Sequence, residues 1–365
     1  MYEMKKTLIA LAVATLPAAA FADVTIYGQI KAGVENVDAG GMNKTNIDDL
    51  GSRIGFKGSE DLGNGLKAIW QVESGLDIDG SNRQGYGSFA SRESFIGLDT
   101  GFGKVRLGNI STFSDSNMSV VNPWESSSNA LQLNAFTRDD IRVKNAIRFD
   151  TANYGGFQGA LLYGTKEVKN GTFANANTDS AQRETYNLGL SYENSGFFGK
   201  YQYIHETPVV VTVAGAGVKT QANDSHRLEA GYNANNLLLA VGYRNDRGDS
   251  TISPLSFLKD ANVPTNGSKY KSQEYALTAA YTLGAFTPKF SYAQGQDVKI
   301  DGASSPDSGY KQFLVGVDYQ MSKRTVVGLQ YGEVKADQAI FSNAADGSSA
   351  GNKLRGLGLN MVHSF

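Results

Sequence analysis

The sequence predicts an all-β fold, a closed antiparallel barrel of sixteen strands that crosses a membrane. Three observations lead there. Strictly alternating segments recur along the chain, short and long connections between them take turns, and an export leader is followed by no apolar run long enough for a membrane helix.

At the amino terminus, Met4-Lys5-Lys6 precede an apolar run from Leu8 to Ala20, and Ala20-Phe21-Ala22 offers a small-residue cleavage site. This is the pattern of a secretory signal peptide, too short for a comfortable membrane span. Residues 1–22 are therefore expected to be removed, leaving residues 23–365 as one barrel. The chain carries 34 Lys and Arg against 36 Asp and Glu, so neither a nucleic-acid partner nor an acidic disordered tail is indicated. It has no cysteine, which excludes disulfides, thiolate metal sites and thiol catalysis. With 42 Gly, 18 Tyr and 18 Phe beside only 7 Pro, the composition favours strands and turns.

Period-two segments include LKAIWQV at 66, YNLGLSY at 186, YALTAAY at 275, FLVGVDY at 313 and TVVGLQY at 325. One face of each is large and apolar, and the other carries small or polar groups. Seven connections are tight: DLGNG at 61, DTGFG at 99, NYGG at 153, ENSG at 193, NANN at 233, LGA at 283 and QMSKR at 320. Eight are longer and polar, near 36–49, 78–88, 111–140, 167–181, 207–223, 247–269, 297–308 and 335–352. The two kinds alternate, which gives sixteen strands with both termini at the short-turn end. Such a meander is the connectivity of an outer-membrane barrel, whose closure satisfies every backbone donor that lipid would leave unpaired. A soluble sandwich also alternates, but its loops need not alternate in length. The apolar faces of even-numbered strands finish in Phe149, Tyr192, Tyr232, Tyr281, Tyr319 and Phe365, all beside short turns or the carboxyl terminus. This placement predicts an interfacial aromatic girdle.

The stretches DVTIYGQIKAGVE at 23, SRIGFKGSEDLGNGLKAIWQVE at 52, SFIGLDTGFGKVRLGN at 94, NPWE at 122 and the closing HSF resemble the general porins of neisserial and related β-proteobacterial outer membranes. The likeness spans the mature chain. It implies a homotrimer of barrels, each with a water-filled pore narrowed by its third long loop folded inward. It also implies passage of small hydrophilic solutes, contact with the bilayer and lipopolysaccharide, and assembly by the barrel machinery through the C-terminal strand.

By this resemblance the turn at NPWE belongs to the pore constriction. Glu125 is its leading acidic candidate and Asp115 the second. Parity supplies the opposite wall. With Ile26, Ile30 and Val34 outward, Lys31 faces the lumen; with Ile54 and Phe56 outward, so do Arg53 and Lys57. Likewise Val105 and Leu107 outward leave Lys104 and Arg106 inside, and Val143, Ile147 and Phe149 outward leave Arg142, Lys144 and Arg148 inside. Arg92 is placed inside by its match to the family's Arg before SFIGL. Glu93 stands where the family usually has Gln, and Asn109 where Arg is expected; both lower the positive potential.

The expected function is passive diffusion through a general porin with a weak anion preference. A ligand-specific channel or an adhesin on the same scaffold remains an alternative, and an outer-membrane hydrolase is a third. Catalytic patterns are poor, because Asp224-Ser225-His226 are consecutive strand residues that alternate faces and cannot converge on one atom. The glycine pairs of GNGLKA and GFGKVR lack a following helix, and GLDIDG lacks the acids of a calcium loop. No cofactor and no metal site are indicated.

Overall fold

The computed structural model describes residues 23–81, 89–165, 183–213, 216–258, 267–342 and 350–365. The expected leader at 1–22 and the loop at 167–181 lie outside these residues, as do parts of the loops at 78–88, 247–269 and 335–352.

Among the described residues, sixteen strands form the barrel. They are β1 (Asp23–Ala39), β2 in two segments (Met42–Asp49 and Ser52–Gly63), β3 (Leu66–Leu76), β4 (Ser94–Thr100), β5 (Gly103–Ser111), β6 (Arg142–Thr151), β7 (Phe157–Gly164) and β8 (Thr185–Asn194). The second half comprises β9 (Phe197–Glu206), β10 (Asn223–Ala234), β11 (Leu237–Gly248), β12 (Tyr270–Tyr281), β13 (Phe286–Gly295), β14 (Tyr310–Ser322), β15 (Thr325–Ala336) and β16 (Lys353–Ser364). Each pairs antiparallel with its sequence neighbour, and β16 returns to β1 from Gln29↔Ser364 to Ala39↔Leu354. The sheet closes, so no edge strand is left in lipid.

Short turns close one end because their residues tolerate a left-handed backbone. Asn235 and Asn236 (φ 52 and 63), Asn64-Gly65 (φ 53 and 76) and Ser195-Gly196 (φ 51 and 85) each turn a hairpin in two residues. At the other end, the connection expected at 36–49 is not an open loop. β1 continues to Ala39 and β2 starts at Met42, with Ala39↔Met42 in register, so this segment is a hairpin whose first strand stays paired with β16 as far as Leu354.

Inside and outside are inverted relative to a soluble protein. Ile26 (58%), Leu107 (51%), Leu161 (59%), Val241 (53%) and Leu359 (51%) are exposed on the outer wall, whereas Gln202, Arg227, Glu229 and Ser291 are fully buried inside it. The alternation expected from sequence thus points apolar groups at hydrocarbon. At the short-turn end the girdle forms ring pairs: Phe157–Tyr192 at 4.3 Å, Phe197–Tyr232 at 4.9 Å and Phe286–Tyr319 at 4.8 Å between centroids. Phe365 is tied down by mutual backbone bonds with Gly28 (3.1 and 3.2 Å). A second belt, not foreseen from sequence, lies toward the long-loop end, with Tyr163–Tyr186 at 5.1 Å and Tyr243–Tyr275 at 5.3 Å. Tyr186 and Tyr192 are six residues apart on β8, about 20 Å along the strand, and so mark two interfaces.

Candidate functional site: the lumenal loop and the wall facing it

The connection from β5 to β6 turns into the barrel. Irregular backbone is tolerated there only if its polar groups find partners, and the inward side chains of distant strands supply them. Phe113 and Ser114 donate backbone N–H to Asn187 Oδ1 (2.8 Å) and Gln202 Oε1 (2.7 Å), and Val120 N–H donates to Glu229 (2.8 Å). Trp124 Nε1 donates to Ser291 Oγ at 2.8 Å, and Gln330 Nε2 donates to the Glu125 carbonyl at 2.9 Å. A short helix, α1 (Phe113–Asn117), begins the loop.

Apolar loop residues also need a dry seat. Val121, Leu131, Leu133, Ala135 and Phe136 are fully buried, and together with Trp124 they pack on Ala240, Ala276, Ala293 and Leu314 of the wall. Wall glycines make room. A Cβ on Gly242 would lie 2.6 Å from Phe136 Cζ, and one on Gly356 would lie 2.7 Å from Leu131 Cγ.

A buried ionic cluster holds the returning end of the loop. Arg227 reaches Asp139 (2.9 Å), Asp140 (2.6 Å) and Glu229 (2.5 Å), while Arg244 reaches Asp139 (2.6 Å) and Asp246 (2.7 Å). Arg138 reaches Asp246 and Glu274, each at 2.6 Å. None of these residues was singled out from sequence. The signal was present in β10 and β11, where outward Leu228 and Val241 put Arg227 and Arg244 on the lumenal side.

The loop thus occupies the β8–β16 side, and the β1–β6 wall faces its free edge. Most of the expected charged residues meet there. Lys31 bonds Glu125 at 2.7 Å, and Asp115 bonds Arg142 at 3.1 Å and accepts from Ser111 Oγ at 2.6 Å. Arg53 and Arg92 approach opposite oxygens of Glu73, at 3.7 and 2.7 Å. Lys57 lies 5.1 Å from the Tyr27 ring centroid, and Tyr27 Oη donates to Glu73 (3.0 Å). Arg106 binds Glu93 (2.9 Å) and Asp150 (2.7 Å).

Three expectations need correction. The wall is not purely basic, because Glu73, Glu93 and Asp150 stand among its cations, as they must where arginines crowd at low exposure. Arg148 does not line open water: at 1% exposure it donates to the Ser111 carbonyl (2.7 Å) and pairs with Asp150 (2.6 Å), holding the start of the loop. Strict alternation also fails in β6. Asn145 takes φ 51, and the register passes from Gly108↔Ala146 to Ile110↔Val143, a bulge that inserts one residue. Val143, expected outward, is buried with Ile110, Ala146 and Leu162, and Lys144, expected inward, is exposed on the other face. Lys104 lies near the short-turn mouth, exposed and 3.5 Å from Asp99.

Among the described residues, the wall and loop edge bring together the bases Lys31, Arg53, Lys57, Arg92, Arg106 and Arg142 with the carboxylates Glu73, Glu93, Asp115, Glu125 and Asp150, and Glu35 and Asp48 accept from Ser126 and Ser127 of the loop. Such a passage orients dipoles and screens solutes by size and charge.

Comparison with known proteins agrees with this geometry. A family model described as Gram-negative porin matches residues 7–339. The major outer membrane protein P.IB of Neisseria sicca is 39% identical over 360 residues, covering 91% of this chain and 94% of that protein. Among solved structures, the anion-selective porin from Comamonas acidovorans superposes with a TM-score of 0.73 at 23% identity, covering 94% of this chain and all of that one. The trimer form of in-vitro folded OmpT, an outer membrane protein of Vibrio cholerae, gives a TM-score of 0.64 at 16% identity, covering 94% and 99%. A barrel turned inside out, with a loop seated in its own lumen, is thus joined by sequence to its relatives, and the chain belongs to the Gram-negative porins as a general porin channel of the outer membrane.

Proposed function

We infer that the channel is a homotrimeric diffusion pore for small hydrophilic solutes and ions, with a weak preference for anions. The observation that supports the preference is the row of bases, Arg53, Lys57, Arg92, Arg106 and Arg142, along the β1–β6 wall that faces Asp115 and Glu125. Support for the trimer comes from family membership and from the trimer form of a protein with the same fold. Transport needs no ATP, covalent intermediate or cofactor, and the chain acts as a channel rather than an enzyme. In the same reading residues 1–22 are cleaved on export, the barrel machinery engages the C-terminal strand ending in Phe365, and lipopolysaccharide surrounds the outer half of the wall.

Planar-bilayer recordings test this. In a salt gradient the reversal potential of the wild type should indicate anions, conductance should rise in steps of three, and Glu125→Gln and Arg53→Ala should shift selectivity in opposite directions. Clear cation selectivity would reject the preference. Unchanged current and selectivity in both variants would remove the constriction assignment, and saturable swelling of liposomes by one sugar would favour a ligand-specific channel.

A further inference from the structure

The lipid-facing side of β11–β16 carries an unusual row of cations just beyond the second aromatic belt. Arg247 stands directly opposite Lys271, and Lys271 opposite Lys299 in the short ribbon Lys299–Ile300. Two strands further round, Lys311 stands opposite Lys335, and Lys335 opposite Lys353. Each is partly or fully exposed, and its strand neighbours Gly248, Ser272, Gln312, Val334 and Leu354 are buried on the lumenal side. Like charges in direct cross-strand register destabilise a sheet unless something neutralises them. Among the described residues Lys353 has a carboxylate, Glu333 at 3.4 Å, whereas Arg247, Lys271, Lys299, Lys311 and Lys335 form no ion pair. Asp224, which is in register with Arg247, is instead held by Tyr203 Oη (2.7 Å) and His205 Nδ1 (2.8 Å).

The layers beneath the row fix its depth. Moving from mid-wall toward the long loops on β11 and β12, the outward positions run from Val241 and Leu277 to the Tyr243–Tyr275 ring pair, then to Asn245 and Gln273, then to Arg247 and Lys271. Gln273 Nε2 donates to Tyr243 Oη at 3.0 Å, which ties the amide and ring layers together. Tyrosines mark the headgroup level, so the cations stand where the phosphates of lipid headgroups lie.

We propose that this row binds the phosphate groups of a phosphorylated glycolipid in the outer leaflet. The inference rests on the outer-membrane channel reading, including its lipopolysaccharide partner, and assigns that partner to particular residues. A phosphate seated between Arg247, Lys271 and Lys299, which span two strand spacings or about 10 Å, relieves their mutual repulsion. The three lysines on β14–β16 offer a second seat, and the half-buried amides of Asn245 and Gln273 supply hydrogen bonds to sugar hydroxyls.

The test uses the purified full-length barrel in neutral nanodiscs titrated with diphosphoryl lipid A, with phosphatidylglycerol and phosphatidylcholine as comparison lipids and binding read by native mass spectrometry. Wild type should retain lipid A in a salt-sensitive manner. The triple variant R247Q/K271Q/K299Q should bind it roughly a hundredfold more weakly, at about fivefold per cation. K323Q, a charge loss at a short turn, should bind like wild type. Equal retention of phosphatidylglycerol, or undiminished lipid A binding by the triple variant, overturns the site. Heat-modifiable gel mobility and bilayer conductance check folding and the channel independently. A variant that conducts normally but loses lipid A supports the site, and normal conductance with normal lipid A binding refutes the site while leaving the channel intact.

Discussion

Phe113 fills the space that a side chain at Gly189 would need: a Cβ built on Gly189 would lie 2.6 Å from Phe113 Cβ and closer still to its ring. The first turn of the lumenal loop is therefore seated against a wall position that only glycine can occupy. Gly189→Ala should displace α1 at a cost of about 1–3 kcal/mol, the range for overpacking a filled site. Single-channel current should become larger or more variable. Gly199→Ala, where a Cβ meets nothing within 4 Å, should leave the current unchanged.

Lys31 and Glu125 form a part-buried pair at 2.7 Å, in which the carboxylate is 37% exposed to the passage. Lys31→Gln should reduce anion preference more than it alters stability. The double variant with Glu125→Gln should fall close to wild-type selectivity, because it removes one charge of each sign. Reversal potentials of the four proteins measure the coupling, and strict additivity of large single shifts in one direction would contradict it.

Arg227 is fully buried and bridges three carboxylates at the end of the loop. Removing one partner from a buried ionic cluster typically costs about 3–5 kcal/mol, so Arg227→Leu should release the loop and lower the unfolding temperature. Lysine should rescue poorly, because a single ammonium cannot copy the guanidinium fork that reaches Asp139, Asp140 and Glu229 at once. Open-channel noise and thermal melts in detergent are the readouts.

The bulge at Asn145 separates two cations that alternation would have grouped. Arg106→Glu should move selectivity toward cations, since its guanidinium faces the passage between Glu93 and Asp150. Lys144→Glu should leave selectivity near wild type. A shift from Lys144→Glu as large as that from Arg106→Glu would place both on one face.

The barrel was legible because two periodicities coincide, residue alternation and the alternation of connection length. Positions such as Ile26, Leu107 and Ile147 needed nothing else to be assigned to the outer wall. The segment 36–49 misled because polar residues such as Asn36, Asp38, Asn43, Lys44 and Thr45 interrupt its hydrophobic alternation although its strands are in register. Val143 and Lys144 were misassigned because a left-handed asparagine leaves no trace in composition. The clamp on the loop escaped notice for a different reason: Arg227 meets Asp139 and Asp140 across 88 and 87 residues of chain, and no local pattern reports such a meeting. The carboxylates beside the wall arginines were visible as letters, but their partners depend on cross-strand register.

The seat of the loop bears on any attempt to enlarge the channel by excision. Behind Trp124, Leu131 and Phe136 lies no smooth hydrated pipe but a trough of Ala240, Ala276, Ala293, Leu314 and Val334 pitted by bare glycines. A shortened protein would expose that trough to the permeating stream, where water wets it poorly and oily molecules can lodge. Gain in bore would come with fouling, so a widened sieve of this design would also need its inner lining rewritten in polar residues.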